Sequence, residues 1–302
     1  MHLGAHVSIA ESIALAPGRG AAVGADSIQI FSRSPRMLRK VKPLAREEVE
    51  AFGANLAKHG IRKAVIHGNY LINLASPKRN LLRVSREAFG DELERAEVLG
   101  IGEVIFHPGA HMGKGEGSAL KAIAQSLDAC FERADAPHVV ACLENTAGQG
   151  STVGHTFEQL AGIIALSRHP ERLGICIDTC HTFAAGYELR TREAYDAFMA
   201  LVDRTVGLDR VRAFHLNDSK TGLGSRRDRH ENIGKGALGL EPFRFLVNDP
   251  RFAEIPGCLE YPGDEGGYRK NLRVLRSLIE GSTPTRPRSR GSGRRGARAA
   301  AR

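Results

Sequence analysis

Six short apolar segments of this sequence each end in a side chain of a type that binds metal ions. The segments read KAVIH, EVIFH, VVACLE, GICID, VRAFH and GCLE, and they end at His67, His107, Glu144, Asp178, His215 and Glu260. Three further candidates of the same types, His181, Asp228 and His230, follow the fourth and fifth segments. Imidazole and carboxylate ligands without thiolates suit Zn²⁺, Mn²⁺ or Fe²⁺ better than Mg²⁺ or Ca²⁺. The pattern therefore predicts a metal centre.

Each candidate alone also has a plain structural explanation. A His at a strand end is commonly a hydrogen-bonded structural residue, Asp178 could cap a following helix, and Asp228 could be a solvated loop residue. The nine together are explained better by cations, because so many ionisable groups are costly to bury unless they coordinate metal. Nine ligands are too many for one tetrahedral ion and predict two or three ions that share a carboxylate. Cys180, between Asp178 and His181, is interpreted as a packed thiol rather than a tenth ligand.

The elements that carry these residues alternate between short β-branched runs and longer amphipathic stretches. Candidate strands lie near residues 2–7, 27–31, 62–67, 103–107, 138–144, 173–178, 211–216 and 256–260. Eight strands alternating with helices predict an α/β fold of the (β/α)8 TIM-barrel type, whose active sites lie at the C-terminal ends of the strands. The alternative is a doubly wound open sheet, but GAHVSIAES lacks the glycine-rich phosphate loop expected after its first strand.

Composition and charge exclude several classes of protein. The chain has 302 residues, is 42% hydrophobic and 25% charged, and so is neither a disordered nor a fibrous protein. It contains no apolar run long enough to span a membrane and no visible secretory signal. Its five cysteines form no CxxC pair and are predicted to be reduced, mostly buried thiols of a cytoplasmic protein. No membrane partner is expected.

The net charge of +9 is concentrated at the C-terminus. Seven of the 43 basic residues, all arginines, lie in residues 281–302, where no acid occurs. Residues 1–280 therefore hold 36 basic against 34 acidic residues, a net charge of +2. We expect residues 1–280 to form one barrel domain and residues 281–302 to be a disordered tail, because the tail lacks large apolar side chains. The tail is either a solvated terminus or a non-specific DNA tether.

The sequence resembles the endonuclease IV family of apurinic/apyrimidinic endonucleases over about residues 1–280. The segments that carry the resemblance are His67-Gly-Asn-Tyr-Leu-Ile-Asn, His107-Pro-Gly, Leu-Glu144-Asn-Thr-Ala-Gly-Gln-Gly, Asp178-Thr-Cys-His181, His215-Leu-Asn-Asp-Ser-Lys and Asp228-Arg-His230-Glu-Asn-Ile-Gly. The resemblance implies a TIM barrel with three zinc ions, although Mn²⁺ or Fe²⁺ could occupy some sites. The implied ligand sets are His67, His107 and Glu144 for one ion, Glu144, Asp178, His215 and Glu260 for a second, and His181, Asp228 and His230 for a third.

The resemblance also implies an activity. The expected enzyme hydrolyses the phosphodiester 5′ to abasic sites in duplex DNA, leaves a 3′-hydroxyl, and trims blocked 3′ ends. Glu144 and Glu260 are the expected catalytic residues, with Glu144 shared between two ions and Glu260 orienting or deprotonating the nucleophile. We expect a monomer that associates with the nucleoid. The alternatives are a metal-dependent sugar isomerase or epimerase on a related barrel, and a non-catalytic nucleic-acid-binding protein.

Loops at the same end of the barrel are predicted to contact DNA. The basic candidates for phosphate contacts are Arg33 and Arg36 after the second strand and Lys220 and Arg229 around Asp228. Tyr70 and Leu71 are explained equally well by core packing and by DNA contact. The resemblance implies that these two side chains wedge into the base stack while the abasic nucleotide is flipped out. Leu38 stands where the family commonly has an aromatic residue, which affects the expected local DNA contacts.

Overall fold

Eight parallel strands close into a barrel in the computed structural model, which describes residues 1–35, 37–38, 41–260 and 265–281. The barrel strands are β1 (His2–His6), β2 (Ser27–Phe31), β3 (Lys63–His67), β4 (Glu103–Phe106), β5 (Val140–Glu144), β6 (Leu173–Asp178), β7 (Val211–His215) and β10 (Pro256–Leu259). Neighbouring strands pair in chain order and β1 pairs with β10 to close the ring. The predicted TIM barrel is confirmed, and the open-sheet alternative is excluded.

Helices alternate with the strands and cover the outside of the barrel. They are α1 (Ala16–Val23), α2 (Arg46–His59), α3 (Arg79–Leu99), α4 (Glu116–Phe131), α5 (Phe157–Leu166), α6 (Thr179–Ala185), α7 (Arg192–Thr205), α8 (Glu241–Val247) and α9 (Glu265–Ser277). Short 3-10 helices cover Ile13–Leu15, Pro170–Arg172, Leu208–Arg210 and Pro250–Phe252. Among the described residues, none of the helices has the length and apolarity needed to cross a bilayer.

One feature of the fold was not predicted from the sequence. After β7, the chain forms a two-stranded antiparallel ribbon of β8 (Asp218–Ser219) and β9 (His230–Glu231). Strands of two residues carry no hydrophobic alternation, so no periodic signal precedes them in the sequence. The ribbon matters for the site because it fixes the position of His230.

The barrel interior is filled in layers that follow the two-residue period of a strand. One small apolar layer receives a single side chain from each of six strands: Val65, Ile105, Cys142, Cys176, Ala213 and Cys258. The large core lies outside, between the strands and the helices. All five cysteines of the chain are buried and free, as predicted.

The proposed domain boundary stays a prediction. Helix α9 ends at Ser277, and residues 282–302, which include all seven tail arginines, lie outside the described residues. The same holds for Arg36 in the loop after β2.

Candidate metal centre

The six strand-end candidates lie directly above the small apolar layer of the barrel interior. Each of them follows its layer residue by two positions, as Glu144 follows Cys142 and His215 follows Ala213. Alternate side chains of a strand point to the same face, so all six are directed into the barrel mouth. The sequence pattern thus places the candidates at the C-terminal end of the barrel, where TIM-barrel active sites lie.

Glu144 occupies the middle of the cluster and is fully buried. Its Oε2 atom lies 3.1 Å from His67 Nε2 and 3.1 Å from His107 Nε2. Its Oε1 atom lies 3.0 Å from His215 Nδ1 and 3.2 Å from His181 Nδ1. The two carboxylate oxygens therefore face different groups of ligands, which is the geometry a bridging carboxylate requires.

A second group of ligands surrounds the Nδ1 atom of His215. This atom lies 3.3 Å from Glu260 Oε2 and 3.9 Å from Asp178 Oδ2. The ligand atoms of Glu144, Asp178, His215 and Glu260 all lie within 4.8 Å of one another. The same radius encloses the ligand atoms of His67, His107 and Glu144. These are the first two predicted ligand sets.

The third predicted set lies on the other side of Asp178. Asp228 faces both imidazoles of the set, with Oδ2 3.2 Å from His181 Nε2 and Oδ1 3.3 Å from His230 Nε2. His230 Nε2 is also 3.7 Å from Asp178 Oδ2, which links this set to the second. Helix α6 carries His181 and the β8–β9 ribbon carries His230. All nine predicted ligands are thus brought together.

The chemistry of the donor atoms fits bound cations. The Nε2 atoms of His181 and His230 are buried and have no hydrogen-bond partner within the part of the chain that the structure describes. Burying a polar nitrogen without a partner is costly, and a metal ion would satisfy both atoms. Mixed imidazole and carboxylate donors are the ligands of catalytic zinc sites. The residues present therefore fit the predicted trinuclear centre, while the number and identity of the ions stay predictions.

The electrostatics of the cluster point the same way. Burial opposes ionisation of Glu144, but the imidazoles of His107 and His215 outweigh it and hold the pKa of that carboxyl well below its usual range. Burial also opposes protonation of His181, and the neighbouring carboxylates, Asp178 foremost, raise the pKa of that ring well above its usual value. A metal ion bound here would take over from the His181 proton the role of balancing these carboxylates, because an imidazole binds metal in its neutral form.

A set of buried amides that was not predicted from the sequence holds the candidate ligands in place. Asn145 Oδ1 accepts a hydrogen bond from the backbone N–H of Asp178 at 2.7 Å, and Asn217 Nδ2 donates to Asp178 Oδ2 at 2.6 Å. Asn217 Oδ1 accepts from the backbone N–H of Glu260 at 2.9 Å. Their positions beside Glu144 and His215 in the sequence were the available signal. Such second-layer contacts orient ligands and tune metal affinity.

Two more contributors come from the first two strands, which supplied no predicted ligand. Gln29 is fully buried in the middle of β2, and His6 ends β1. Burial lowers the pKa of His6, and its Nε2 atom has no hydrogen-bond partner among the described residues. A polar residue inside the apolar run SIQIF was the signal for Gln29.

Cys180 is a buried thiol beside the third predicted set, with its Sγ atom within 4.8 Å of ligand atoms of Asp228 and His230. Its Sγ atom donates to the backbone oxygen of Arg229 at 3.6 Å. Burial raises the pKa of the thiol to about 12. The interpretation of Cys180 as a packed thiol rather than a tenth ligand stays a prediction.

The residues predicted to contact DNA divide into exposed and buried ones. Tyr70 is 57% exposed and Leu71 is 40% exposed, so core packing does not explain them. Their loop is tied to the loop after β2, since Asn69 Nδ2 donates to the backbone oxygens of Ser34 and Met37. Lys220 and Arg229 are exposed near Asp228.

The prediction that Arg33 contacts phosphate needs correction. Its side chain is buried, with Nε 3.1 Å from Glu92 Oε1 and Nη1 3.0 Å from Asp91 Oδ2. The guanidinium therefore turns toward helix α3 and forms an internal ion pair. Sequence alone could not show this, because the acids that it meets belong to a distant helix.

Comparison with known proteins settles the family. A family model described as a xylose isomerase-like TIM barrel matches residues 19–278. The probable endonuclease 4 of Geobacter sulfurreducens is 47% identical over 284 residues, which cover 93% of this chain and 96% of that protein. The probable endonuclease 4 of Chloroflexus aurantiacus is also 47% identical, over 281 residues. This chain belongs to the endonuclease IV family.

Solved structures agree with the family assignment. The crystal structure of endonuclease IV from Thermus thermophilus has a TM-score of 0.81 and 37% identity, and the alignment covers 92% of this chain and 98% of that one. A D-tagatose 3-epimerase-like protein has a TM-score of 0.71 but only 19% identity, which shows a shared fold alone. Membership of the endonuclease IV family identifies this chain as a DNA-repair endonuclease.

Proposed function

We propose that this protein hydrolyses the phosphodiester 5′ to abasic sites in duplex DNA, leaves a 3′-hydroxyl, and removes blocking groups from 3′ ends, with three zinc ions as cofactors. The observation that carries the proposal is the position of Glu144. Its two oxygens face different ligand groups, and a third group of imidazoles and carboxylates lies beyond Asp178. A phosphodiester is an anion whose hydrolysis benefits from several cations at once.

The ions would supply neutralisation of the phosphate and Lewis-acid assistance to bond cleavage. The residues of the chain hold the reacting groups in place. Burial opposes ionisation of Glu260, but His215 outweighs it and holds the pKa of that carboxyl well below its usual range. Glu260 therefore stays ionised and can accept a hydrogen bond that orients the attacking water. Glu144 stays ionised for the same kind of reason and holds two ligand groups at a fixed separation.

DNA binding would come from the loops around the barrel mouth. Tyr70 and Leu71 are exposed side chains of a loop that is anchored by Asn69, so they can enter the base stack without disturbing the core. Flipping out an abasic nucleotide costs less than flipping out a paired base, which would favour this substrate. Lys220 and Arg229 would contact phosphates beside the third ligand group, and Arg36 remains a predicted contact.

The sugar isomerase or epimerase alternative explains less of the site. It gives no role to the group of His181, Asp228 and His230 or to the exposed wedge of Tyr70 and Leu71. A non-catalytic DNA-binding protein leaves the whole ligand cluster without a role. A nuclease with three metal ions is the interpretation that gives a role to all three ligand groups and to Tyr70 and Leu71.

Two measurements on the purified chain test the proposal together. Elemental analysis should find about three metal ions per chain, and an end-labelled duplex with one abasic site should be cut on its 5′ side. A DNA polymerase should extend the product directly, since a 3′-hydroxyl is left. The control substrate is the same duplex with an intact base. Metal-loaded protein that leaves the abasic duplex uncut, or that interconverts ketohexoses, would overturn the proposal.

The proposed function also bears on the oligomeric state of the protein and on where it works. A complete ligand set within one chain needs no second subunit, so we propose a monomer that works on the nucleoid in the cytoplasm. Sedimentation velocity measures the oligomeric state directly. A stable dimer at micromolar concentration would contradict it.

A further inference from the structure

Gln29 is a buried amide with three side-chain partners at the metal centre. It lies in the middle of β2, where alternate residues face the barrel interior. Its Oε1 atom lies 2.8 Å from His215 Nε2. Its Nε2 atom lies 2.6 Å from Glu260 Oε1 and 3.0 Å from His6 Nδ1. Every polar atom of the side chain is therefore used, which offsets the cost of burying an amide.

The chemistry of these partners allows one orientation of the amide. An ionised carboxylate only accepts hydrogen bonds, so the amide nitrogen must face Glu260 and the amide oxygen must face His215. The amide oxygen is an acceptor, so Nε2 of His215 must be the donor to it. When the ring is neutral and binds metal, its proton would therefore lie on Nε2, and Nδ1, which faces Glu144 and Asp178, would be left to bind the ion of the second ligand group.

We propose that Gln29 is a positioning residue that sets the tautomer of His215 and the orientation of Glu260. The inference deepens the proposed function, because it concerns the same centre. Its consequence is selective. Among the described residues, hydrogen bonds join Gln29 to ligands of the second group only, so the loss of Gln29 should weaken one of the three ions.

Gln29 can be tested more cleanly than the other buried amides. Asn145 and Asn217 bond to backbone N–H groups as well as to side chains, so their removal also leaves backbone donors unpaired. The side-chain amide of Gln29 bonds to other side chains only. Ser27 provides a matched control on the same strand, since its hydroxyl donates to the backbone oxygen of His2 at 2.8 Å rather than to a predicted metal ligand.

The first experiment compares Gln29→Met with Ser27→Ala in a zinc competition titration against a chromophoric chelator. Methionine keeps the length of the side chain and removes its hydrogen bonds. We expect Gln29→Met to bind one zinc ion roughly 10- to 100-fold more weakly and the other two as in the wild type, because second-layer contacts have effects of this size. Ser27→Ala should match the wild type. Wild-type affinity of Gln29→Met for all three ions would overturn the inference.

A second readout follows the tautomer itself. In protein labelled with ¹⁵N-histidine, the zinc-loaded wild type should show a slowly exchanging Nε2–H for His215. Gln29→Met should lose this protection, whereas Gln29→Glu should keep it, because a carboxylate still accepts from Nε2–H. If Gln29→Met fails to fold, Gln29→Glu carries the test. It removes the donor to Glu260 and should still weaken one ion, so unchanged binding of all three would refute the inference.

The two proposals fail separately in these measurements. A chain that needs Gln29 for one of its ions but never cleaves abasic DNA would refute the proposed function and leave the positioning role intact. If the wild type cleaves abasic DNA and the Gln29→Met variant binds all three ions as tightly as the wild type does, the positioning role alone would be refuted.

Discussion

Two clusters of buried charged side chains in this protein are built from similar residues and have opposite characters. At the barrel mouth, carboxylates and imidazoles converge. The Nε2 atoms of His181 and His230 make no hydrogen bond among the described residues, although Asp228 oxygens lie 3.2 and 3.3 Å from them. Beside helix α3, Glu92 instead accepts hydrogen bonds from Ser32 Oγ and from Arg33 Nε. We call the first the open cluster, because some of its ligand atoms are left without hydrogen bonds. We call the second, formed by Ser32, Arg33 and Glu92, the closed cluster, because its side chains bond to one another.

The carboxylates of the two clusters also differ in their pKa values. Burial raises the pKa of Glu92 despite its bonds to Ser32 and Arg33. Burial acts on Glu144 in the same direction, but several imidazoles outweigh it and lower the pKa of that carboxyl. Burial of charge alone therefore does not mark a site. Buried imidazole nitrogens that make no hydrogen bond, grouped around an ionised carboxylate, do mark one.

The largest expected effect comes from the open cluster. Glu144→Gln and His215→Ala should each lower turnover on abasic DNA by roughly 10³-fold or more, because several kcal/mol of charge stabilisation depends on the ions they hold. Metal content should fall with turnover, and circular dichroism should show an intact barrel. Steady-state kinetics and elemental analysis on the same samples measure both. Normal turnover in a variant that has lost its metal would break the link between this cluster and catalysis.

Substitutions in the closed cluster should change the stability of the fold rather than turnover. Arg33→Met leaves the buried Glu92 without its cation and should lower the free energy of unfolding by about 3–5 kcal/mol. Urea denaturation measures this, and metal content should not change. The double variant Arg33→Met/Glu92→Met should recover much of the loss, since replacing both partners of a buried pair by apolar residues is often close to neutral. If Arg33→Met instead has normal stability and binds DNA more weakly, the original prediction that Arg33 contacts phosphate would be supported.

The exposed side chains of Tyr70 and Leu71 belong to neither cluster. Substituting them should change neither the metal content nor the free energy of unfolding. Tyr70→Ala and Leu71→Ala should lower kcat/KM on duplex abasic DNA by roughly 10-fold, since part of the few kcal/mol of unstacking would go uncompensated. A single-stranded abasic substrate has less stacking to break and should show a smaller effect. Equal losses on both substrates would argue against a wedge and for a role within the active site.

The clustering of the candidate ligands was predictable because few residue types bind metal and because strands have a fixed period. A buried apolar residue followed two positions later by His, Asp or Glu is readable in six strands without coordinates. The prediction for Arg33 was wrong, because the direction of a long side chain depends on acids of a distant helix. Gln29 was missed because an amide carries no ligand chemistry of its own. Its role depends on His215 and Glu260, which reach it only through barrel closure.

The smallest expected effect tests whether internally satisfied carboxylates elsewhere follow the closed pattern. Asp249 is buried, and it accepts from Tyr195 at 2.8 Å and from Arg251. Burial opposes ionisation of Asp249, but the bonds from Arg251 and Tyr195 outweigh it and lower the pKa of that carboxyl. A lowered pKa means that the folded state favours the carboxylate. The stabilisation is therefore present above about pH 4, the unfolded pKa, and is lost as pH falls through the folded pKa.

Asp249→Asn should accordingly cost about 1 kcal/mol at neutral pH, a modest amount because Arg251 is partly exposed and screened by solvent. The difference in unfolding free energy between variant and wild type should shrink below about pH 4, as the wild-type carboxyl takes up a proton. Urea denaturation at about pH 7 and at about pH 3.5 measures this difference. Metal content and turnover at neutral pH should stay unchanged, because the carboxylate is bonded to its own chain rather than to the barrel mouth. A loss of metal in this variant would show that burial of charge is coupled across the barrel, and the division into open and closed clusters would fail.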